Sequence, residues 1–271
     1  MSTATMNDKK LVDYKTEGGV AILTLNNPGA NCYTYELNQD FDEAVLKARF
    51  DDEVHVIVIT GNGEKFFCAG ADINMLNTVT PKFKYYFCLH ANETLTRLEQ
   101  TPKLVIAAIN GHCVGGGLEY AMAADMRIAR KNAGKCGLPE VNLGVLPGTG
   151  GTQRLLRLVG KSKAIELMTT GETFTFDQGL EMGVINQVWE TADHGAFMAK
   201  IMEYAKQFCP PNKASKAVGH IKRAVQSGGE VPFSESLAIE RELQQLLFQS
   251  SDAKEGISAY VEKRKANFTG K

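Results

Sequence analysis

The feature that most restricts how this chain can fold is a set of short, almost unbroken apolar runs, each stopped by a turn. Val20 to Leu25 ends at Asn26-Asn27-Pro28-Gly29, Val54 to Thr60 at Gly61-Asn62-Gly63, and Leu104 to Ile109 at Asn110-Gly111, and Met126 to Ala129 is a fourth run. β-branched runs of this length bounded by glycine, asparagine or proline are strands. Strands without polar alternation are covered on both faces. Between them, Tyr35 to Arg49, Pro81 to Gln100 and Gly115 to Ala124 carry apolar residues at helical spacing. This alternation predicts an α/β core. Beyond Thr152 helical patterns take over, at Thr152–Val159, Lys163–Gly171, His194–Phe208, Phe233–Gln249 and Asp252–Phe268. The chain therefore divides into an α/β core over residues 1–190 and a helical C-terminal region over residues 191–271.

Composition excludes several classes of function. Thirty basic residues against 31 acidic ones leave a net charge of −1, which argues against a polybasic nucleic-acid or membrane-surface binder. The stretch Glu36 to Glu53 holds seven acids and two bases, a face that repels phosphate. No apolar run reaches the ~18 residues of a membrane span. The six cysteines are dispersed with no C-x-x-C pair, and the five histidines show no paired spacing, so no metal site is expected. The polar start, Met1 to Lys10, has neither the apolar core of an export signal nor a mitochondrial presequence bias. Free thiols in a reducing cytoplasm are the expectation.

Two glycine turns could carry chemistry: Phe67-Cys68-Ala69-Gly70-Ala71-Asp72-Ile73, and Asn110 to Glu119 with Gly115-Gly116-Gly117 at its centre. Each follows a strand and precedes a helix, so it leaves backbone N–H groups without helical partners. Two such turns face to face would bind a developing oxyanion. Neither phosphate-loop pattern is present, nor G-x-S-x-G. Two lone acids, Glu119 and Glu140, sit in apolar, glycine-containing surroundings, where burial raises a carboxyl pKa and a pair can divide proton donation and abstraction. Taken singly, a glycine turn is a tight connection and a lone acid is a cap or a loop residue.

Together these stretches carry a family likeness. FFCAGADI (66–73), AAINGHCVGGGLE (107–119), GLPEVNLGVLPGTGGTQ (137–153) and YVEKRKANF (260–268), in this order, resemble the enoyl-CoA hydratase, or crotonase, family over roughly residues 10–268. The resemblance implies a crotonase-type spiral of ββα turns with a C-terminal helical region that builds homotrimers or homohexamers. It maps the oxyanion hole onto the N–H groups of Ala71 and Gly116, and the two catalytic acids onto Glu119 and Glu140. It places the coenzyme A moiety along Ala30-Asn31-Cys32 and along Ala69, Ala71, Asp72, Ile73 and Asn74. Tyr260 and Lys263 of the last helix are implied to reach coenzyme A in a neighbouring subunit. Asn74 stands where hydratases often carry lysine, and PGANCYTY (28–35) departs from the family's N-A-L pattern.

The implied reaction is reversible hydration of a trans-2-enoyl-CoA to a 3-hydroxyacyl-CoA. Glu119 would activate water and Glu140 would protonate C2. No cofactor is implied apart from the coenzyme A carried by the substrate, and no nucleic-acid or membrane partner. The alternatives on this scaffold are an enoyl-CoA double-bond isomerase and a coenzyme A-binding or RNA-binding homologue without hydratase activity. The acyl pocket is expected to be walled near Met75-Leu76, Tyr85 to Phe87, Leu118 and Leu146. Alanine at Gly116 keeps the N–H that proline lacks and is expected to hurt less than proline, unless the position needs φ > 0.

Overall fold

The computed structural model describes residues 10–271, and the polar segment Met1–Lys9 lies outside the described residues. The chain opens with a hairpin, β1 (Val12–Glu17) and β2 (Val20–Leu25), followed by α1 (Tyr35–Phe50), β3 (Val56–Gly61), β4 (Phe66–Cys68), α2 (Ile73–Thr78) and α3 (Pro81–Gln100). Next come β5 (Leu104–Ile109), β6 (His112–Val114), α4 (Gly116–Met122), β7 (Met126–Arg130), β8 (Lys135–Gly137) and a 3-10 turn (Glu140–Leu143). The remainder is α5 (Gly151–Val159), α6 (Lys161–Thr170), β9 (Phe174–Thr175), α7 (Phe176–Glu181), β10 (Gln187–Trp189), α8 (His194–Lys206), α9 (Ser215–Gly228), α10 (Phe233–Phe248) and α11 (Ser251–Val261).

The strands form a six-stranded sheet, β1-β2-β3-β5-β7-β10, and a four-stranded sheet, β4-β6-β8-β9. Neighbours are parallel except where β1 meets β2 and β8 meets β9. The pairs β3 then β4, β5 then β6, and β7 then β8 each give one strand to each sheet, with helix between successive pairs. This is a spiral of ββα turns, in agreement with the implied fold.

The central strands β3 and β5 of the large sheet are buried on both faces, as their unbroken apolar runs require, while the edge strand β1 is mostly exposed. Ile57, Ile59, Val105, Ala107 and Ile109 point into the core shared with the second sheet and with α1, α3 and α4. Val56, Val58, Leu104, Ile106 and Ala108 point the other way, against Phe197, Ile201 and Ala205 of α8. Each valine, leucine or isoleucine among these contributes about 1.5–3 kcal/mol on removal from water. The helix just beyond residue 190 is thus a covering layer of the sheet. At the carboxyl ends of β3 and β5, the buried Asn110 side chain accepts from Gly61 N (3.0 Å) and donates to Gly63 O (2.7 Å). That clamp fixes where β4 and β6 begin, and with them the two glycine turns.

Several elements differ from expectation. β1, β6, β8, β9, β10 and helices α7 and α9 have no counterpart in the sequence reading, and the last helix ends at Val261 rather than Phe268. Lys263 adopts φ 55°, the left-handed conformation that terminates a helix, and Arg264 N bonds back to Ala259 O. Most of the unforeseen strands have two or three residues, too few for a period to register.

Candidate active site

After β4 the chain turns through Ala69-Gly70-Ala71 into α2. Asp72 caps that helix, accepting from Met75 N at 2.8 Å. Gly70 has φ 92°, and a Cβ there would lie 3.1 Å from Val114 O and 3.4 Å from Gly116 N, so only glycine lets the two turns meet. The segment Ala30-Asn31-Cys32-Tyr33 is laid alongside: Ala69 N donates to Ala30 O, Tyr33 N to Gly70 O, and Asp72 N to Tyr33 O. Among the described residues, the N–H groups of Ala71 and Gly116 have no hydrogen-bond acceptor.

Glu119 lies in the first turn of α4 and is 1% exposed. Its Oε1 accepts from Thr149 N and Gly151 N, both at 2.7 Å, at the start of α5. Burial pushes its pKa up, and the two backbone donors pull it back toward the ionised form. Glu140 opens the 3-10 turn beyond Leu138-Pro139 and is half-buried. Its Oε2 is buried without a hydrogen-bond partner. Burial, and then the charge of Glu119, push its pKa up to about 7. The pair thus holds one carboxyl anchored by fixed donors and another poised to exchange a proton near neutrality.

Ala69, Ala71, Ile73, Gly116, Glu119 and Glu140 line one cleft. Ala30, Cys32, Asp72 and Asn74 flank it without lining it. Tyr260, 86% exposed at the end of α11, and Lys263 do not reach it within the chain. Of the expected walls, Leu76 and Leu146 line the cleft. Leu118 is in the core, Phe87 is buried, and Tyr85 and Tyr86 face outward.

Tyr33 and Lys84 also line the cleft and were not singled out from sequence. Tyr33 is buried, stacks on Phe87 at 5.3 Å between centroids, and bonds through its hydroxyl to Thr149 Oγ1 at 3.2 Å. A Cβ on Gly116 would fall 2.0 Å from Tyr33 Cε1, so alanine keeps the N–H there but collides with the ring. The signal for Tyr33 was its place in PGANCYTY. Lys84 had none beyond its position on a helix.

Comparison with known proteins adds to this geometry. A family model described as enoyl-CoA hydratase/isomerase matches residues 15–271. The chain belongs to the enoyl-CoA hydratase/isomerase family. It is 38% identical over 252 residues to the short-chain-enoyl-CoA hydratase of Clostridium acetobutylicum, covering 92% of this chain and 94% of that protein. It is 36% identical over 256 residues to the crotonyl-CoA hydratase of Syntrophomonas wolfei, covering 94% and 96%. A solved enoyl-CoA hydratase structure from Geobacillus kaustophilus superposes with a TM-score of 0.93 at 44% identity, covering 98% of each chain. Membership in the enoyl-CoA hydratase/isomerase family extends over both sheets and the C-terminal helices.

Proposed function

We propose that this protein is an enoyl-CoA hydratase that reversibly adds water to a trans-2-enoyl-CoA, giving a 3-hydroxyacyl-CoA, with Glu119, Glu140 and the N–H groups of Ala71 and Gly116 as the working parts. The observation that carries the assignment of parts is one cleft lined by two carboxyls of different character and by two turns with free N–H groups. The thioester carbonyl accepts from both N–H groups, which withdraws electrons from C3 and stabilises the enolate oxygen. Glu119, whose ionised form accepts from Thr149 N and Gly151 N, takes a proton from water as the water oxygen bonds to C3. The neutral Glu140 carboxyl gives a proton to C2. The dehydration direction runs the same steps backwards.

The reaction consumes no cofactor, since coenzyme A arrives as part of the substrate. Its pantetheine arm is assigned to the paired segments at Ala30–Cys32 and Ala69–Asn74. Tyr260 and Lys263 are assigned to coenzyme A bound by a neighbouring subunit of a homotrimer or homohexamer. Among the described residues no helix is long and apolar enough to cross a membrane. The six free cysteines fit a reducing compartment such as the cytoplasm.

Product analysis tests the reading. Incubation with crotonyl-CoA is expected to give 3-hydroxybutyryl-CoA. Conversion of a trans-3-enoyl-CoA to its trans-2 isomer, with no hydrated product, would instead establish the isomerase.

A further inference from the structure

The cleft that holds Glu119 and Glu140 also holds one cation. Lys84 is the only lysine, arginine or histidine among the described residues lining it, and the wall around it is apolar, with Ile73, Leu76, Leu143 and Val145. Lys84 lies on the first turn of α3, whose placement Pro81 and the Thr80 cap fix. Its Nζ rides 5.2 Å above the centre of the Phe87 ring, and Phe87 stacks on Tyr33, the ring packed against Gly116. The ammonium is therefore positioned by the aromatic stack that backs the oxyanion turn. Among the described residues it has no carboxylate partner and no hydrogen-bond acceptor of its own, unlike Arg97, Arg154 and Lys222 nearby on the fold.

The Phe87 ring face is the one partner the half-buried Lys84 side chain has among the described residues, and it leaves the ammonium charge unpaired. An anion on the ligand supplies the missing partner. Coenzyme A offers phosphates, but these are separated from the thioester by the whole pantetheine arm. Lys84 sits at the thioester's own cleft, near enough to Glu140 to oppose the rise of its pKa. An anion closer to the thioester than those phosphates can only be one carried on the acyl chain. We infer that Lys84 is a specificity-determining residue that pairs with a carboxylate at the far end of the acyl chain, so that the preferred substrates are enoyl-CoA thioesters of dicarboxylic acids. This deepens the hydratase reading and rests on it for the identity of the reaction.

The test compares 2-hexenoyl-CoA with its ω-carboxylated counterpart, 2,3-dehydroadipyl-CoA, in the native protein and in Lys84→Met, Lys84→Gln and Lys84→Arg. A charge-assisted pair in a partly buried site is worth about 1.5–3 kcal/mol, or about 10–150-fold. The native protein is expected to favour the carboxylated substrate in kcat/KM by at least about tenfold. In Lys84→Met and Lys84→Gln that ratio is expected to fall by about 10–150-fold, and in Lys84→Arg to be largely kept. Binding of the saturated thioesters, adipyl-CoA against hexanoyl-CoA, measured by calorimetry, gives the same ratio without turnover. If neither enoyl thioester is hydrated while adipyl-CoA still binds through Lys84, the hydratase reading fails and the subsite stands. Equal loss on both thioesters would overturn the inference and assign Lys84 to coenzyme A or to the tuning of Glu140. A native protein without preference for the carboxylated thioester, in turnover or in binding, would overturn it outright.

Discussion

Glu119 and Glu140 share a cleft but not an environment: Glu119 accepts from two backbone N–H groups, whereas Glu140 Oε2 is buried without a partner. With the Glu140 pKa near 7, hydration that uses its proton declines as pH rises through about 7, while dehydration that uses its anion rises over the same interval. A pH profile of kcat/KM in both directions checks this, and parallel profiles would remove Glu140 from the C2 proton transfer. The same shift has a stability consequence. The folded pKa lies above the unfolded value, so the neutral carboxyl's contribution is fully present below about pH 4 and is lost as pH rises through about 7. Glu140→Gln removes that loss, so its melting temperature is expected to exceed the native value at pH 8.5 and not at pH 4. At Gly116 the N–H is retained by alanine, yet the new methyl collides with the Tyr33 ring. Gly116→Ala is therefore expected to cost at least about 10² in kcat, the scale of a lost oxyanion donor. Near-native turnover in that variant would show that Tyr33 yields without disturbing the turn.

At the scale of elements, α9 is tied to the core by a buried ion pair. Lys222 Nζ lies 2.9 Å from Asp125 Oδ2 and donates to Lys103 O at 3.0 Å, while Asp125 also accepts from Val105 N and Gln226 Nε2. Burial raises the Asp125 pKa and lowers that of Lys222, so desolvation outweighs attraction at each partner. Removing one partner strands the other. Lys222→Met is expected to destabilise by about 3–5 kcal/mol, and adding Asp125→Asn, which keeps an acceptor for Val105 N, to recover a large part of it. Denaturant unfolding of Lys222→Met, Asp125→Asn and the double variant measures the coupling, and additive losses would contradict it. The inner strands β2, β3, β5 and β7 of the large sheet were legible because their burial leaves nearly unbroken apolar runs. β6 and β8 were not, because three-residue strands carry no period and their pairing is decided by the spiral. Helix α9 was obscured by Gly219, where a Cβ would lie 2.0 Å from Pro102 O. The two glutamates and the glycine turns were legible through residues whose backbone needs are unusual. Tyr33 and Lys84 were not, because a tyrosine in a loop and a lysine on a helix acquire meaning only once a cleft forms beside them.

At the scale of the whole molecule, the C-terminal helices leave apolar side chains uncovered. Phe233, Leu246 and Phe248 on α10 are 78%, 50% and 64% exposed, and Ile257 and Val261 on α11 are 53% and 74% exposed. Exposure on this scale is expected to be relieved by closed homo-oligomerisation, which would also bring Tyr260 and Lys263 toward another chain's cleft. Light scattering at micromolar concentration is expected to give three or six times the chain mass, and a monomer would contradict the assembly. The central claim is that this cleft adds water across an enoyl thioester by means of its two carboxyls. Steady-state hydration of crotonyl-CoA by the native protein, Glu119→Gln, Glu140→Gln and the double variant tests it most directly. Each single change is expected to lower kcat by about 10²–10⁴ with native circular dichroism, and the double variant to fall little further, since residues acting on one water are non-additive. A natively folded single variant that hydrates crotonyl-CoA at close to the parent rate would contradict the account.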